Sequence, residues 1–175
     1  VRETLGDVVY GVDVESLEQV VSAALLERGL TLSAAESCTG GLIAKRMTDL
    51  PGASKVFRGG VVSYTNGVKS GILGVPEALL EEQGAVSEPV ARVMAEGCRR
   101  VCGSDLAVSV TGVAGPESDD RGNEVGTVYI ALASDQGTIC RKLSCGKGRG
   151  RERVRSAAAQ NAFDMLRRTL LGLPL

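Results

Sequence analysis

The sequence predicts an α/β fold: a three-layer α/β/α arrangement with a mixed, mostly parallel sheet that includes one antiparallel hairpin. Helical and strand-like patterns alternate along most of the chain, as in folds whose helices cover a sheet. Aromatic residues make up only 3% of the 175 residues, so the core must consist of aliphatic side chains. Two β-rich runs flank Asp135-Gln136-Gly137, a hairpin signal that adds an antiparallel pair.

The predicted helices follow from apolar residues that recur every three or four positions and from residues that start or stop a helix. In the first helix, Leu17 and Val21 share one face, and Gly29 is the expected C-terminal cap. Pro76 favours a first helical turn, and Ser87 is a predicted N-cap. The predicted helices cover residues 14–28, 39–50, 66–73, a segment starting at Pro76, 90–102 and 151–171.

The predicted strands are short runs rich in β-branched and aliphatic residues, bounded by turn residues. They cover residues 30–35, 61–64, 106–110, 125–133 and 138–144. The length suits one compact core, so we expect a single domain over residues 1–175, with residues 1–12 as a loosely ordered lead-in.

Composition excludes several classes of protein. The formal net charge is −1, so a nucleic-acid partner is not expected. No apolar run approaches the roughly 20 residues of a membrane span, and the N-terminus lacks a signal-peptide layout, so we expect a cytoplasmic protein without a membrane partner. The five cysteines include no Cys-x-x-Cys pair, which argues against both a disulfide framework and a thiolate zinc site.

The absence of histidine constrains the chemistry most. With no histidine in the chain, every His-based triad, His metal ligand and His acid or base is excluded. An enzyme with this sequence must transfer protons through Lys, Tyr, Asp, Glu, Cys or water. A metal site is therefore not expected.

One candidate site is the run Glu36-Ser37-Cys38-Thr39-Gly40-Gly41, at a predicted strand end and helix start. Ligands of open α/β sheets bind at such junctions, where the helix start offers unpaired N–H groups for a phosphate or an oxyanion. Ser37 or Thr39 could instead merely cap the helix, which is the more frequent role of such residues. Cys38 is an alternative nucleophile, but we favour a small buried residue because no His can activate it.

A second candidate segment, Tyr64-Thr65-Asn66-Gly67-Val68-Lys69, follows the next strand. A nucleophilic serine needs a base, and without His a lysine or a tyrosine is the natural substitute. Lys69 can serve only if burial or a neighbouring cation lowers its pKa. The alternative is a solvated surface lysine, which is the usual case.

Two further segments could hold an anion. Thr111-Gly112-Val113-Ala114-Gly115-Pro116 follows a strand, and its N–H groups could bind phosphate or carboxylate; a structural turn is the equal alternative. A basic run leads into the last helix, where Arg side chains can bind phosphate bidentately or simply be solvated. Its members are Lys147, Arg149, Arg151, Arg153 and Arg155.

Five segments, taken together, resemble the CinA C-terminal domain family. They occur in the family's order and near its spacing between Thr31 and Ala133, so the resemblance covers most of the chain. Any one segment is weak evidence, whereas five in order are highly specific. The segments are AAESCTGGLIAKRMTDLPGAS, FRGGVVSYTNGVKSGILGV, GAVSEPVA, VSVTGVAGPES and VGTVYIALA.

Members of this family include deamidases that hydrolyse the carboxamide of nicotinamide mononucleotide (NMN) to nicotinic acid mononucleotide and ammonia. The resemblance therefore implies an amidohydrolase that needs no cofactor, whose partner is a small-molecule nucleotide, in the family's stand-alone form. We also expect a homo-oligomer, because a small pocket often borrows walls from a symmetric neighbour. The alternative is a non-catalytic nucleotide- or partner-binding module related to competence- or damage-inducible proteins.

The resemblance also implies roles for individual residues. Ser37 would be the nucleophile and Lys69 its base, with Tyr64 relaying a proton or holding the Ser–Lys pair. The Thr39-Gly40-Gly41 backbone would supply the oxyanion hole or ligand contacts. The family's arginine aligns best with Arg151, but Arg149 competes because the family's usual Gly-Asp-Arg is absent here. The implied substrate-binding residues are Thr39, Gly40, Gly41, Asn66, Thr111, Gly112, Ala114, Gly115, Arg149 and Arg151.

Overall fold

Helices and strands alternate through residues 6–10, 14, 16–146 and 150–175, the part of the chain that this computed structural model describes. The strands are β1 (Leu32–Glu36), β2 (Phe57–Val62), β3 (Leu106–Gly112), β4 (Thr127–Ser134) and β5 (Gly137–Ser144). The α-helices are α1 (Leu17–Arg28), α2 (Leu42–Thr48), α3 (Asn66–Gly71), α4 (Glu77–Gln83), α5 (Glu88–Cys102) and α6 (Arg151–Leu171). Short 3-10 helices cover Gly6–Val8 and Ala53–Lys55.

The five strands form one mixed sheet in the order β2-β1-β3-β4-β5. β1 is parallel to β2 and β3, whereas β4 is antiparallel to β3 and β5. The predicted hairpin is confirmed, with Ser134 paired to Gly137. The β3–β4 pair is a second antiparallel pair, because loop 113–126 joins these strands without the helix that a parallel crossover needs.

Helices cover both faces of the sheet, which confirms the three layers. On one face, side chains of α1, α2 and α6 pack against the strands in one buried cluster that includes Leu25, Met47 and Phe163. On the other face, α4 and α5 contribute a second cluster around Leu80 and Met94. The core is aliphatic apart from Phe163, as the low aromatic content predicts.

Two predicted boundaries were wrong near the strand ends, and both involve glycines. The helix predicted from residue 39 begins at Leu42, because Gly40 and Gly41 have φ angles of 60° and 95°, which an α-helix does not allow. The strand predicted from residue 61 begins at Phe57. A Cβ on Gly60 would lie 2.5 Å from the Ala34 carbonyl oxygen, so glycine lets β2 approach β1.

Other boundary residues are placed close to their predicted positions. Gly29 caps α1 in the left-handed conformation, with φ of 64°. Ser87 lies at the N-cap position of α5, but its hydroxyl donates to the Gly84 carbonyl and not to the helix. Pro76 lies one residue before α4 and not inside its first turn.

Part of the predicted lead-in lies outside the described residues, namely residues 1–5, 11 and 12. Within it, Gly6–Val8 form the first 3-10 helix. The single-domain organisation stays a prediction. Among the helices that the structure describes, none is long and apolar enough to cross a membrane.

The parallel pairing of β1 with β2 and β3 gathers the candidate segments. All three strands end on the same side of the sheet. Ser37 follows β1, Tyr64 lies two residues beyond β2, and Thr111 is at the end of β3. This is the position at which open α/β sheets bind ligands.

Candidate active site

Ser37 and Lys69 form a hydrogen-bonded pair at this end of the sheet. Lys69 Nζ lies 3.2 Å from Ser37 Oγ, and Ser37 is partly exposed. A nucleophile and its base must come within about 2.6–3.2 Å of each other, and the distance is often longer before substrate binds. The pair therefore has the geometry of proton transfer from a serine to a lysine.

Lys69 is buried in a way that favours its neutral form. Its side chain is 1% exposed, and burial lowers the pKa of its amine below the ordinary lysine value. Nζ also donates to the Ser63 carbonyl oxygen at 2.7 Å. None of the ion pairs among the described residues includes Lys69. The structure thus separates Lys69 from the solvated surface lysine that was the alternative.

Glu36, next to Ser37, caps helix α2. Its buried carboxylate accepts hydrogen bonds from the N–H groups of Gly41 and Ile43 at 3.0 Å and of Ala44 at 2.8 Å. The helix start was expected to offer these N–H groups to a phosphate or an oxyanion. That expectation was wrong, because a side-chain anion already occupies them.

The backbone turn after Ser37 differs in how its successive N–H groups are paired. Gly40 N–H donates to the Ser37 carbonyl oxygen at 3.1 Å, and Gly41 N–H is held by Glu36. In the described part of the chain, the N–H groups of Cys38 and Thr39 donate to no protein oxygen. Of the Thr39-Gly40-Gly41 backbone implied by the family resemblance, the N–H groups of Gly40 and Gly41 are already paired, whereas the N–H of Thr39 is not. A role of this backbone as an oxyanion hole stays a prediction.

Cys38 is a buried core residue. It is 5% exposed and belongs to the cluster under α2 and α6. Burial raises the pKa of its thiol to about 12, so the reactive thiolate is scarce at neutral pH. These properties favour Ser37 over Cys38 as the nucleophile.

Tyr64 lies at the exposed rim of the site. Its hydroxyl accepts a hydrogen bond from Arg151 Nη2 at 2.5 Å, and Arg151 Nη1 donates to the Gly115 carbonyl oxygen at 2.9 Å. Among the described contacts, Tyr64 has no hydrogen bond with Ser37 or Lys69. The second hydrogen-bond partner of the lysine amine is the Ser63 carbonyl oxygen and not Tyr64. A proton-relay role for Tyr64 stays a prediction.

Thr39 contributes its backbone to the site more clearly than its hydroxyl. The side chain is fully buried, and within the described residues its Oγ1 has no hydrogen-bond partner, so it does not cap α2. Its carbonyl oxygen accepts a hydrogen bond at 2.8 Å from Arg155 Nη2, on the second turn of α6. This contact joins the β1–α2 turn to helix α6.

Comparison with known proteins decides the family. Residues 14–170 match the family model described as the CinA C-terminal domain. This chain belongs to the CinA C-terminal domain family. The resemblance inferred from the five sequence segments is thereby confirmed.

Relatives of this CinA domain are longer proteins. Two named CinA-like protein, from Desulfotalea psychrophila and Geobacter sulfurreducens, are 48% and 51% identical over 171 residues. Each alignment covers 98% of this chain and 41% of the relative, so the chain spans about two fifths of the length of these curated relatives. The stand-alone form accordingly stays a prediction.

Solved structures share the fold of this CinA domain. The competence damage-inducible protein A of Klebsiella pneumoniae is 32% identical with a TM-score of 0.85, covering 89% of this chain and 95% of that one. A competence/damage-inducible protein of Agrobacterium tumefaciens is 36% identical with a TM-score of 0.84, covering 93% and 98%.

Several residues implied to bind substrate in this CinA domain have structural contacts instead. The Thr111 hydroxyl donates to the Ala85 carbonyl oxygen at 2.7 Å. A Cβ on Gly112 would lie 2.7 Å from the Thr127 carbonyl oxygen, so glycine is needed for strand packing. Ala114 is buried in the core. Their roles in substrate binding stay predictions.

The remaining implied residues are more open or undescribed. Asn66 is the exposed first residue of α3 and lines a cavity of about 340 Å³ beside loop residues 119–121. Gly115 meets Arg151 through its carbonyl. Arg149, the other candidate for the phosphate, lies outside the described residues.

Sequence reasoning missed three contributors to this site. Glu36 belongs to the first candidate run, but it was given no role from the sequence pattern. A carboxylate just before a glycine-rich helix start can indicate a residue that caps the helix N-terminus. Ser63 acts through its carbonyl oxygen, which no side-chain pattern reveals. Arg155 was one member of a basic run, and only the packing of α6 shows which carbonyl it meets.

Proposed function

We propose that this chain is an amidohydrolase that converts NMN to nicotinic acid mononucleotide and ammonia. The observation that carries the proposal is the pair of Ser37 with a buried Lys69, 3.2 Å apart at the ligand-binding end of the sheet. Membership of the CinA C-terminal domain family supports the same reading. The substrate itself rests on the family resemblance.

The proposed reaction has two stages. Ser37 Oγ attacks the carboxamide carbon while its proton passes to the neutral Lys69 amine. The tetrahedral intermediate collapses as the C–N bond breaks, and the lysine returns the proton to the departing ammonia. A water molecule then attacks the acyl-enzyme, giving a proton to Lys69 and restoring the serine hydroxyl when the C–Oγ bond breaks.

The surrounding contacts support charge stabilisation in that reaction. Among the described residues, the N–H groups of Cys38 and Thr39 donate to no protein oxygen, so they are available for the oxyanion. Preformed backbone donors at a developing charge contribute strongly to catalysis. Arg151, at the rim, carries a cation that suits the phosphate of a nucleotide. Its present contacts, a tyrosine hydroxyl and a carbonyl, are neutral and could be exchanged for an anion.

The test is ammonia release from NMN by the wild type and by Ser37→Ala. We expect turnover by the wild type and a loss of about 10⁴-fold or more in the variant, as for removal of a covalent nucleophile. Ser156→Ala, which removes an exposed serine from α6, is the matched control and should be unaffected.

Two outcomes would contradict the proposal. Near-normal ammonia release by Ser37→Ala would exclude Ser37 as the nucleophile. Tight binding of NMN by the wild type without turnover would instead favour the non-catalytic nucleotide-binding module. Thiol alkylation with Ser37→Ala as control tests the Cys38 alternative, which predicts that the variant stays active and that alkylation of Cys38 abolishes the activity.

A further inference from the structure

A chain of hydrogen bonds leads from Arg155 to the peptide unit that follows Ser37. Arg155 Nη2 donates to the Thr39 carbonyl oxygen at 2.8 Å. The same peptide unit carries the N–H of Gly40, which donates to the Ser37 carbonyl oxygen at 3.1 Å. That carbonyl in turn shares its peptide unit with the N–H of Cys38. The Arg155 guanidinium is thus connected through two peptide units to the N–H of Cys38, which donates to no protein oxygen among the described residues.

Such a chain has a physical consequence at its far end. Each hydrogen bond to a peptide oxygen polarises the unit and makes its own N–H a better donor, so linked bonds strengthen one another. The N–H of the residue after the nucleophile is a common oxyanion donor at strand-to-helix turns. Here that group is the N–H of Cys38, which in the described part of the chain has no protein oxygen as its acceptor.

The backbone at Gly40 allows Arg155 to reach the Thr39 carbonyl oxygen. Gly40 has a φ of 60°, in the left-handed region, and a Cβ there would lie 3.3 Å from Arg155 Nη2. Glycine therefore allows both the turn and the close approach of the guanidinium. Arg155 is half-buried and reaches a fully buried residue, whereas Arg153 on the same helix is exposed.

We propose that Arg155 is a positioning residue for the nucleophile. Through the Thr39 carbonyl it fixes the turn that carries Ser37, and through the two peptide units it strengthens the Cys38 N–H toward the oxyanion. The inference rests on the proposed function in one respect, that Ser37 is the nucleophile.

The test compares Arg155→Gln, which loses the cation, with Arg155→Lys, which keeps it, and with Arg28→Gln, at the exposed end of α1, as a surface control. One readout is kcat and KM for NMN. The other is the rate at which a fluorophosphonate labels Ser37, measured by intact mass. In labelling, a P–O bond forms, the P–F bond breaks, fluoride leaves and the serine proton passes to Lys69. The reagent contains no nucleotide, so the labelling rate reports on Ser37 and its surroundings and not on nucleotide binding.

We expect Arg155→Gln to lower both kcat and the labelling rate by about tenfold, less than the loss of a direct oxyanion donor. KM should stay within about threefold, since an interaction made mainly in the transition state is removed. Arg155→Lys should recover most of both rates, and Arg28→Gln should match the wild type. If thermal melts show that Arg155→Gln is unstable, the labelling comparison is made on ice.

Contrary results separate the two proposals. A raised KM with unchanged kcat and labelling would make Arg155 a substrate-binding residue and overturn its positioning role. Equal labelling rates for the glutamine, lysine and wild-type proteins would overturn it as well. Labelling of Ser37 without ammonia release would contradict the NMN proposal, while the labelling rates still judge Arg155. A wild type that does neither has no activated serine, and both proposals fall.

Discussion

Two ionisable side chains are buried at the same end of the sheet, Glu36 at the end of β1 and Lys69 in α3, and their surroundings are opposite in kind. In the β1–α2 turn, the Glu36 carboxylate accepts three backbone N–H groups at the start of a helix. In helix α3, which follows β2, the Lys69 amine has a hydroxyl and a carbonyl as its hydrogen-bond partners among the described residues, and burial lowers its pKa. The difference suits the carboxylate to a structural role and the amine to its proposed role as the base.

This contrast explains how a chain without histidine can activate a serine. A buried charge is stable only when it is paired or multiply hydrogen-bonded. Glu36 meets that condition, so it cannot readily exchange its contacts for a substrate. Lys69 does not meet it, so its neutral form is favoured and can accept the Ser37 proton.

Removing the base should have the largest effect. Lys69→Met keeps the length and apolar stem of the side chain but has no amine to take the serine proton. Ammonia release from NMN should fall by about 10²–10⁴-fold. Lys45→Met, which removes a surface lysine on α2, is the control. Activity within about threefold of the wild type in Lys69→Met would contradict the assignment of the base.

Breaking the capped turn should reduce stability. Glu36→Gln replaces one acceptor oxygen with a donor NH₂ group facing backbone N–H, at a cost of about 2 kcal/mol. For a chain of this size, Tm should fall by about 4–8 °C, with Glu27→Gln on the exposed face of α1 as control. An unchanged Tm measured by calorimetry would show that the cap contributes nothing.

Substitution of Lys69 should have the opposite effect on stability. Because the folded-state pKa of Lys69 is lowered, its burial penalty is full below that pKa and is relieved above the unfolded-state pKa. Lys69→Met should therefore be more stable than the wild type at neutral pH. Thermal melts between pH 6 and about pH 10 should show the advantage narrowing as pH rises, toward the ordinary lysine pKa. An advantage that grows with pH would contradict a lowered pKa.

Tyr64→Phe should have the smallest effect. It removes an exposed hydroxyl whose contact in the described structure is with Arg151. KM for NMN should rise by no more than about threefold, and kcat should be unchanged. A fall in kcat of about a hundredfold would instead support a proton relay through Tyr64.

The sequence was sufficient to predict the layers of the fold and the set of strand ends where the site lies. Periodicity and caps depend on neighbours in the chain, so α6 and the β4–β5 hairpin were placed well. The start of α2 was misplaced, because the positive φ angles of Gly40 and Gly41 depend on the turn that they complete.

The site was predicted less completely than the fold. Ser37 and Lys69 were found from the absence of histidine and from the family resemblance, and the structure brings them together. The roles of Glu36 and Arg155 depend on which backbone groups they meet, across 5 to 8 residues for Glu36 and 116 residues for Arg155. Such contacts are set by packing, which composition and spacing do not report.

The pH dependence of Ser37 labelling by a fluorophosphonate tests the serine–lysine pair most directly. In the wild type, we expect the rate to rise tenfold per pH unit and then level off, with a midpoint below the ordinary lysine pKa of about 10.4. Lys69→Met should label slowly and lack that inflection. Identical profiles for the two proteins, or a midpoint at or above the ordinary lysine pKa, would contradict a neutral Lys69 as the base.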